Sequence, residues 1–182
     1  MKNIFNTTHV LLSLVGLMGV VLIFSGCRAS KKAANNNLTI GTAAPDFSLV
    51  DEANRPHTLS NMRGSRVALY FYPKDQTPGC TAQACSIRDS LGELRNQNIH
   101  VWGISYDSPA SHAAFKQKYH LTFPLLSDSS KEVAALYGVK GFLMAKRVTF
   151  LIDEQGVLVG IINNIDVKNH AQQILSAFEA GK

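Results

Sequence analysis

Apolar and polar positions along the chain fall into one long unbroken run and a series of shorter patterned segments. From Val10 to Phe24 every residue is apolar, Gly or Ser, and none is charged. As a helix this run would span about 22 Å, short of the ~30 Å hydrocarbon core of a bilayer, and Lys2 lies ahead of it as a cationic flank. It is expected to be a secretory signal, outside the fold. Arg66 to Tyr72 (RVALYFY) is a second continuous apolar run, ended by Pro73, with the pattern of a strand buried on both faces. Thr77 and Pro78 then fit an N-cap and a first helical position, and Ala84, Ile87, Leu91 and Leu94 recur at helical spacing. Ile99 to Tyr106 reads as a second buried strand, and Ser108-Pro109 opens a helix running to about His120. Phe123 to Leu126 leads through Ser127-Asp128 into a short helix ending at Gly138. Val148 to Asp153 and Val157 to Ile162 flank Glu154-Gln155-Gly156 as a hairpin, and a last amphipathic helix starts at Asp166 or Asn169. Near the start, Phe47 to Val50 and His57 to Leu59 form a small hairpin about a polar turn.

A β-α-β unit followed by a helix, a hairpin and a helix is the order of an α/β thioredoxin-like fold. The expectation is a central mixed sheet flanked by helices, with an N-terminal β-hairpin. Composition agrees with one compact domain, since the 182 residues are 46% apolar and 17% charged. The net charge of +5 is spread along the chain with no basic run longer than Lys31-Lys32, which gives no electrostatic footprint for nucleic acid. Arg28 to Asn37 (RASKKAANNN) is small, polar and Asn-rich, suited to a flexible tether of about 17 Å reach. The expected division is a signal at 1–26, a tether at 27–37 and the folded domain at 38–182.

Candidate chemistry rests on three cysteines: Cys27, Cys80 and Cys85. In an exported protein two cysteines most simply make a structural disulfide. Cys80 and Cys85 do not suit one if they share a helix, because five residues separate their Cα atoms by about 8.7 Å. A disulfide wants less than ~7 Å, so a bond between them would close only where the helix unwinds. Cys80 falls in the first turn, where unpaired N–H groups and the positive end of the helix dipole favour a thiolate. Cys85 lies one and a half turns further in, beyond the reach of both effects. One thiol is placed to attack and the other to wait.

Phe24-Ser25-Gly26-Cys27 resembles a bacterial lipobox, although Phe24 stands where that class usually has Leu. The resemblance implies that Cys27 becomes an acylated N-terminus. The protein would then be exported and lipid-anchored to a bacterial membrane, facing the periplasm or the cell exterior. Tyr70 to Asp89 (YFYPKDQTPGCTAQACSIRD) resembles the active-site segment of peroxiredoxins, in particular of the bacterioferritin comigratory protein, or peroxiredoxin Q, subfamily. Gly103 to Ser108, Ser111-His112, Phe123 to Asp128, Tyr137 to Val139 and Arg147 to Asp153 follow in family order, so the likeness runs from about residue 38 to the end.

That resemblance implies a thiol-dependent peroxidase, reducing hydrogen peroxide and organic hydroperoxides. Pro73, Thr77 and Cys80 match the family's P-x-x-x-T-x-x-C, and Arg147 its distal arginine. Cys80 would attack the peroxide and become a sulfenic acid, and Cys85 would condense with it. Thr77 would orient the O–O axis, Arg147 would supply a permanent cation and Pro73 would shield the site. The implied partners are a peroxide substrate, a thioredoxin-like thiol donor and a lipid bilayer reached through acyl chains. No cofactor is implied, and with no cysteine after Cys85 a monomer is expected. Lys140 departs from the aromatic residue usual after Tyr137-Gly-Val139 and leaves the substrate rim, with Gly141 to Ala145, open.

Residue by residue, simpler roles exist. Thr77 also suits a helix cap, Arg147 a surface cation, Trp102 the core, and His112 and His120 solvent or an interface more readily than a metal. Two rival functions would use the same fold. A membrane-tethered copper chaperone wants Cys-x-x-x-Cys and a distal histidine, and a disulfide reductase wants Cys-x-x-Cys after a tryptophan; neither spacing is present.

Overall fold

The computed structural model describes residues 38–180. The expected signal at 1–26, the tether at 27–37 and Cys27 lie outside the described residues.

The elements are β1 (Ser48–Asp51), β2 (Pro56–Thr58), a 3₁₀ turn (Leu59–Met62), β3 (Arg66–Phe71), α1 (Pro78–Asp89), α2 (Leu91–Asn96), β4 (Ile99–Ser105), α3 (Pro109–Tyr119), β5 (Leu125–Ser127), α4 (Glu132–Leu136), β6 (Val148–Ile152), β7 (Leu158–Ile162) and α5 (His170–Ala180). The strands form one mixed sheet in the order β2-β1-β5-β4-β3-β6-β7. Central β3 runs parallel to β4 and antiparallel to β6. This is the expected thioredoxin-like architecture, with the N-terminal hairpin at one edge.

The period-2 alternation of β3 divides the core. Ala68, Tyr70 and Tyr72 face Cys80, Ala84 and Ile87 of α1, Leu91 and Leu94 of α2, and Ile174 and Phe178 of α5. Val67, Leu69 and Phe71 face Trp102, Tyr137, Phe150 and the α4 side chains Val133 and Ala134. Trp102 is core, as expected. Gly103 of β4 sits opposite Tyr70, where a Cβ would fall 2.6 Å from the phenol ring. The missing side chain lets that ring stack on Tyr72 at 5.3 Å.

Two features differ from expectation. Leu125–Ser127 is a strand, parallel to β4 and antiparallel to β1, and it joins the N-terminal hairpin to the sheet. At three residues it is too short to display a period, and only its neighbours define it. The helix expected through Leu94 is two helices, because Ser90 leaves helical geometry at φ −108°, ψ 13°. Ser90 and nearby Gly92 are weak helix formers, and the break lets Leu91 and Leu94 bury against the sheet independently of α1.

Candidate active site

The site forms where β3 runs out. The Tyr72 N–H still donates to the Ile104 carbonyl at 3.1 Å, and Pro73, which has no N–H, ends the ladder. Residues 73–77 cross to α1 with Gln76 at φ 58°, and Thr77 enters the helix extended, at φ −74°, ψ 150°. Thr77 holds the N-cap position and its carbonyl accepts from the Thr81 N–H at 2.9 Å, but its hydroxyl does not cap. It donates instead to the Lys74 carbonyl at 3.0 Å. This corrects the expected side-chain cap, and it leaves the lone pairs of the hydroxyl available to a ligand's donor.

Cys80 lies in the first turn of α1 and is 2% exposed. Arg147, immediately before β6, is half-buried and directs its Nη2 to Cys80 Sγ at 3.2 Å, so it is no surface cation. Cys85 is half-buried in the same continuous helix, and both thiols are free. The shared helix on which the spacing argument depends is therefore observed. The group facing Cys80 is a guanidinium, which donates hydrogen bonds and does not ligate metal; the copper alternative lacks its distal histidine there.

Behind Arg147 runs a chain of side chains that the sequence did not reveal. Arg147 Nη1 donates to Gln83 Oε1. With that oxygen fixed by an obligate donor, Gln83 Nε2 must be the group 2.9 Å from His170 Nδ1, and it donates. His170 then carries its proton on Nε2, which meets Thr149 Oγ1 at 3.0 Å. Gln83, Thr149 and His170 are all fully buried. Burial, with a smaller contribution from the Arg147 charge, pushes the His170 imidazole down to about 4, so it is neutral, as its accepting Nδ1 requires. A polar Gln on the buried face of an amphipathic helix was the one signal available beforehand.

A second cluster holds the loop. Asp75 accepts from Tyr72 Oη at 2.7 Å and from Ser111 Oγ at 2.7 Å, and pairs with His112 Nδ1 at 2.9 Å. Its backbone N–H donates to Asp107 Oδ2 at 2.9 Å, and Ser105 Oγ reaches the same oxygen at 2.7 Å. Burial alone would raise the Asp75 carboxyl, but the His112, Tyr72 and Ser111 bonds outweigh it and hold the group below the usual carboxylate range. His112 is thus fully buried and paired, correcting the solvent or interface role expected of it, while His120 is exposed at the end of α3.

The chain was compared with known proteins. Residues 40–161 match the AhpC/TSA family. Peroxiredoxin Bcp of Escherichia coli K12 is 40% identical over 149 residues, covering 78% of this chain and 96% of that protein. Peroxiredoxin Q of the chloroplast of Sedum lineare is 40% identical over 149 residues, covering 80% of each chain. Among solved structures, peroxidoxin BcpB from Mycobacterium tuberculosis superposes with a TM-score of 0.74 at 34% identity, over 79% of this chain and 97% of that one. The bacterioferritin comigratory protein of Xanthomonas campestris, whose structure was determined for insight into alkyl peroxide reduction, gives 0.73 at 30% identity, over 79% and 100%.

Proposed function

The chain belongs to the AhpC/TSA family, among the Bcp and peroxiredoxin Q peroxiredoxins, and from that premise we propose that Cys80 is its peroxidatic cysteine and Cys85 its resolving one. One observation carries the assignment: Arg147 Nη2 sits 3.2 Å from Cys80 Sγ at the N-terminus of α1, while Cys85 is further along the helix. The positive helix end and the guanidinium both put positive charge beside the sulfur, which attacks as a thiolate.

That thiolate attacks the terminal oxygen of the hydroperoxide. An S–O bond forms, the O–O bond breaks, and the departing oxygen takes a proton and leaves as water or an alcohol. The Thr77 hydroxyl oxygen accepts from the peroxide O–H, and Arg147 stabilises the charge moving onto the leaving oxygen. Pro73, half-buried beside the loop, limits solvent access. The Cys85 thiol then attacks the Cys80 sulfenic acid, an S–S bond forms and water leaves. Since one helix keeps the two Cα atoms about 8.7 Å apart, α1 must unwind for this step. A thioredoxin-like dithiol donor restores both thiols. Both cysteines come from one helix of one chain, so a monomer suffices for the cycle. Organic hydroperoxides are included as substrates on the strength of the activity named for the Xanthomonas relative.

The test is to substitute each cysteine. Cys80→Ser should abolish peroxide consumption. Cys85→Ser should still consume one equivalent and accumulate a sulfenic acid on Cys80, but should not turn over with a dithiol protein. A stable sulfenic acid on Cys85 in Cys80→Ser protein would reverse the assignment. The uncharged Val10–Phe24 run and Ser25-Gly26-Cys27 support export with acylation at Cys27, and hence a place at a bacterial membrane. Cleaved, membrane-bound protein after Cys27→Ala would eliminate that anchor.

A further inference from the structure

The connection from α4 to β6 has an unusual build. Among the described residues the exposed large apolar side chains are Ile40, Phe142 at 91%, Leu143 at 74% and Met144 at 45%, so three of them are consecutive. Their backbone is tied down. Lys146 N–H donates to the Val139 carbonyl at 2.9 Å, Gly141 N–H to Tyr106 Oη at 3.3 Å, and Lys131 Nζ to the Phe142 carbonyl at 2.9 Å. Ala145 is buried at the base, and the turn is so tight that a Cβ on Gly141 would fall 2.2 Å from the Met144 carbonyl oxygen. The loop is fixed, yet it directs its apolar side chains outward.

Within the loop itself charge is of one sign. Residues 138–147 (GVKGFLMAKR) include Lys140, Lys146 and Arg147 and no acid. Lys74 and Lys131 approach from the active-site loop and from α4's N-cap. Leu143 and Met144 line a groove with Pro73, Lys74, Tyr106 and Asp107, and the Asp107 carboxylate there is occupied by the Asp75 N–H and the Ser105 hydroxyl. An apolar tip inside a cationic rim therefore opens beside the loop that carries Pro73 and leads to Cys80.

We propose that Phe142, Leu143 and Met144 dock the domain onto an anionic bilayer surface, with Lys140 and Lys146 meeting lipid phosphates, so that the Cys80 site opens toward hydroperoxides formed in acyl chains. Apolar side chains ringed by lysines complement an interface that is apolar beneath an anionic layer. No helix among the described residues is long and apolar enough to cross a membrane, and the contact required here is peripheral. Docking stands on the loop alone; its catalytic consequence rests on the peroxidase reading above.

The experiment uses the full chain with Phe142→Trp, and subtracts the wild-type signal of buried Trp102. Vesicles of phosphatidylcholine with phosphatidylglycerol carry bromines on the acyl chains. The expected result is a blue-shifted difference emission that the bromines quench. Quenching should be several-fold weaker in phosphatidylcholine alone and weaker again with Lys140→Glu and Lys146→Glu. Unquenched, water-like emission from protein that co-sediments with the vesicles would overturn the proposal, because attachment would then run through another part of the chain. A catalytic arm compares Phe142→Asp/Leu143→Asp with wild type. Turnover of phosphatidylcholine hydroperoxide in anionic vesicles should fall about tenfold further than turnover of hydrogen peroxide. Equal losses on both substrates, or a change only in the KM for a dithiol protein, would overturn it. Wild-type protein that consumes no peroxide would defeat the peroxidase reading and leave the fluorescence result standing.

Discussion

His170 and His112 are both fully buried and both reach the active-site segment through side chains, but one reaches an amide and the other a carboxylate. His170 is neutral and passes orientation through Gln83 to Arg147, with no anion in the chain. His112 lies against a carboxylate whose other partners, Tyr72 and Ser111, belong to the end of β3 and to α3. They differ also in where they attach. Gln83 lies within α1, between Cys80 and Cys85, so unwinding α1 must part it from Arg147 and His170. Asp75 precedes α1, and its bonds are indifferent to that helix. If the proposed cycle holds, the site has a half that detaches during turnover and a half that holds the loop throughout. In that cycle the half that is broken and remade contains no acid, and its one charge, Arg147, is half-buried rather than fully enclosed.

The widest separation between the halves should appear in amide exchange. With the Cys80–Cys85 bond formed, residues 78–89 should exchange at least about 10³-fold faster than in reduced protein, since several hydrogen bonds of ~1 kcal/mol are lost together. Strand β3 and the Asp75 amide should keep their protection. Fragment mass spectrometry on both states measures this, and equal protection of α1 in both would mean that resolution does not unwind it. Next in size, Asp75→Ala removes the acceptor shared by His112, Tyr72 and Ser111 and should cost about 3 to 5 kcal/mol in urea unfolding. A loss below about 1 kcal/mol would show that the loop is held by something else.

Sequence reading succeeded where the signal was local. The β3 run, the hairpins, the start of α1 and the Cys80–Cys85 spacing each occupy one continuous segment, and all are found in place. It failed where a partner is distant in the chain. His112 meets Asp75 across 37 positions and Gln83 meets His170 across 87, and no periodicity encodes such pairings. The fate of the Thr77 hydroxyl was hidden for a related reason. Its preference for the Lys74 carbonyl depends on the path of the loop, while residue type alone favours a cap.

The remaining two tests divide the relay from the anchor by smaller effects. His170 has a folded value of about 4 against an ordinary 6.5, so the unfolded chain binds the proton first. Its contribution is complete above pH 6.5 and is lost as the pH falls toward 4, a change of roughly 3 kcal/mol at most. His170→Asn should flatten the dependence of stability on pH in that window, measured by denaturant midpoints. The Asp75 cluster, whose carboxyl is lowered, should begin to fail as the pH falls through the ordinary Asp value, at the lower end of the His170 window, and fail further below it. Last, Gln83→Ala should slow oxidation of Cys80 about tenfold or less and hasten disulfide closure by a similar factor, since it loosens both Arg147 and α1. Rapid-mixing kinetics with single-turnover peroxide separates the steps, and slowing of both would place Gln83 outside the release mechanism.

The interruption at Ser90 gives α1 a defined length. Had one rod run from Thr77 through Leu94, uncoiling begun at Cys80 could travel on and expose Leu91 and Leu94, leaving an adhesive surface on every oxidised molecule. Ending α1 at Asp89 confines the melted stretch to a dozen residues, while α2 stays seated against the sheet. The break works as a firestop: the oxidised enzyme can wait for its reductant without becoming a substrate for aggregation or for proteases.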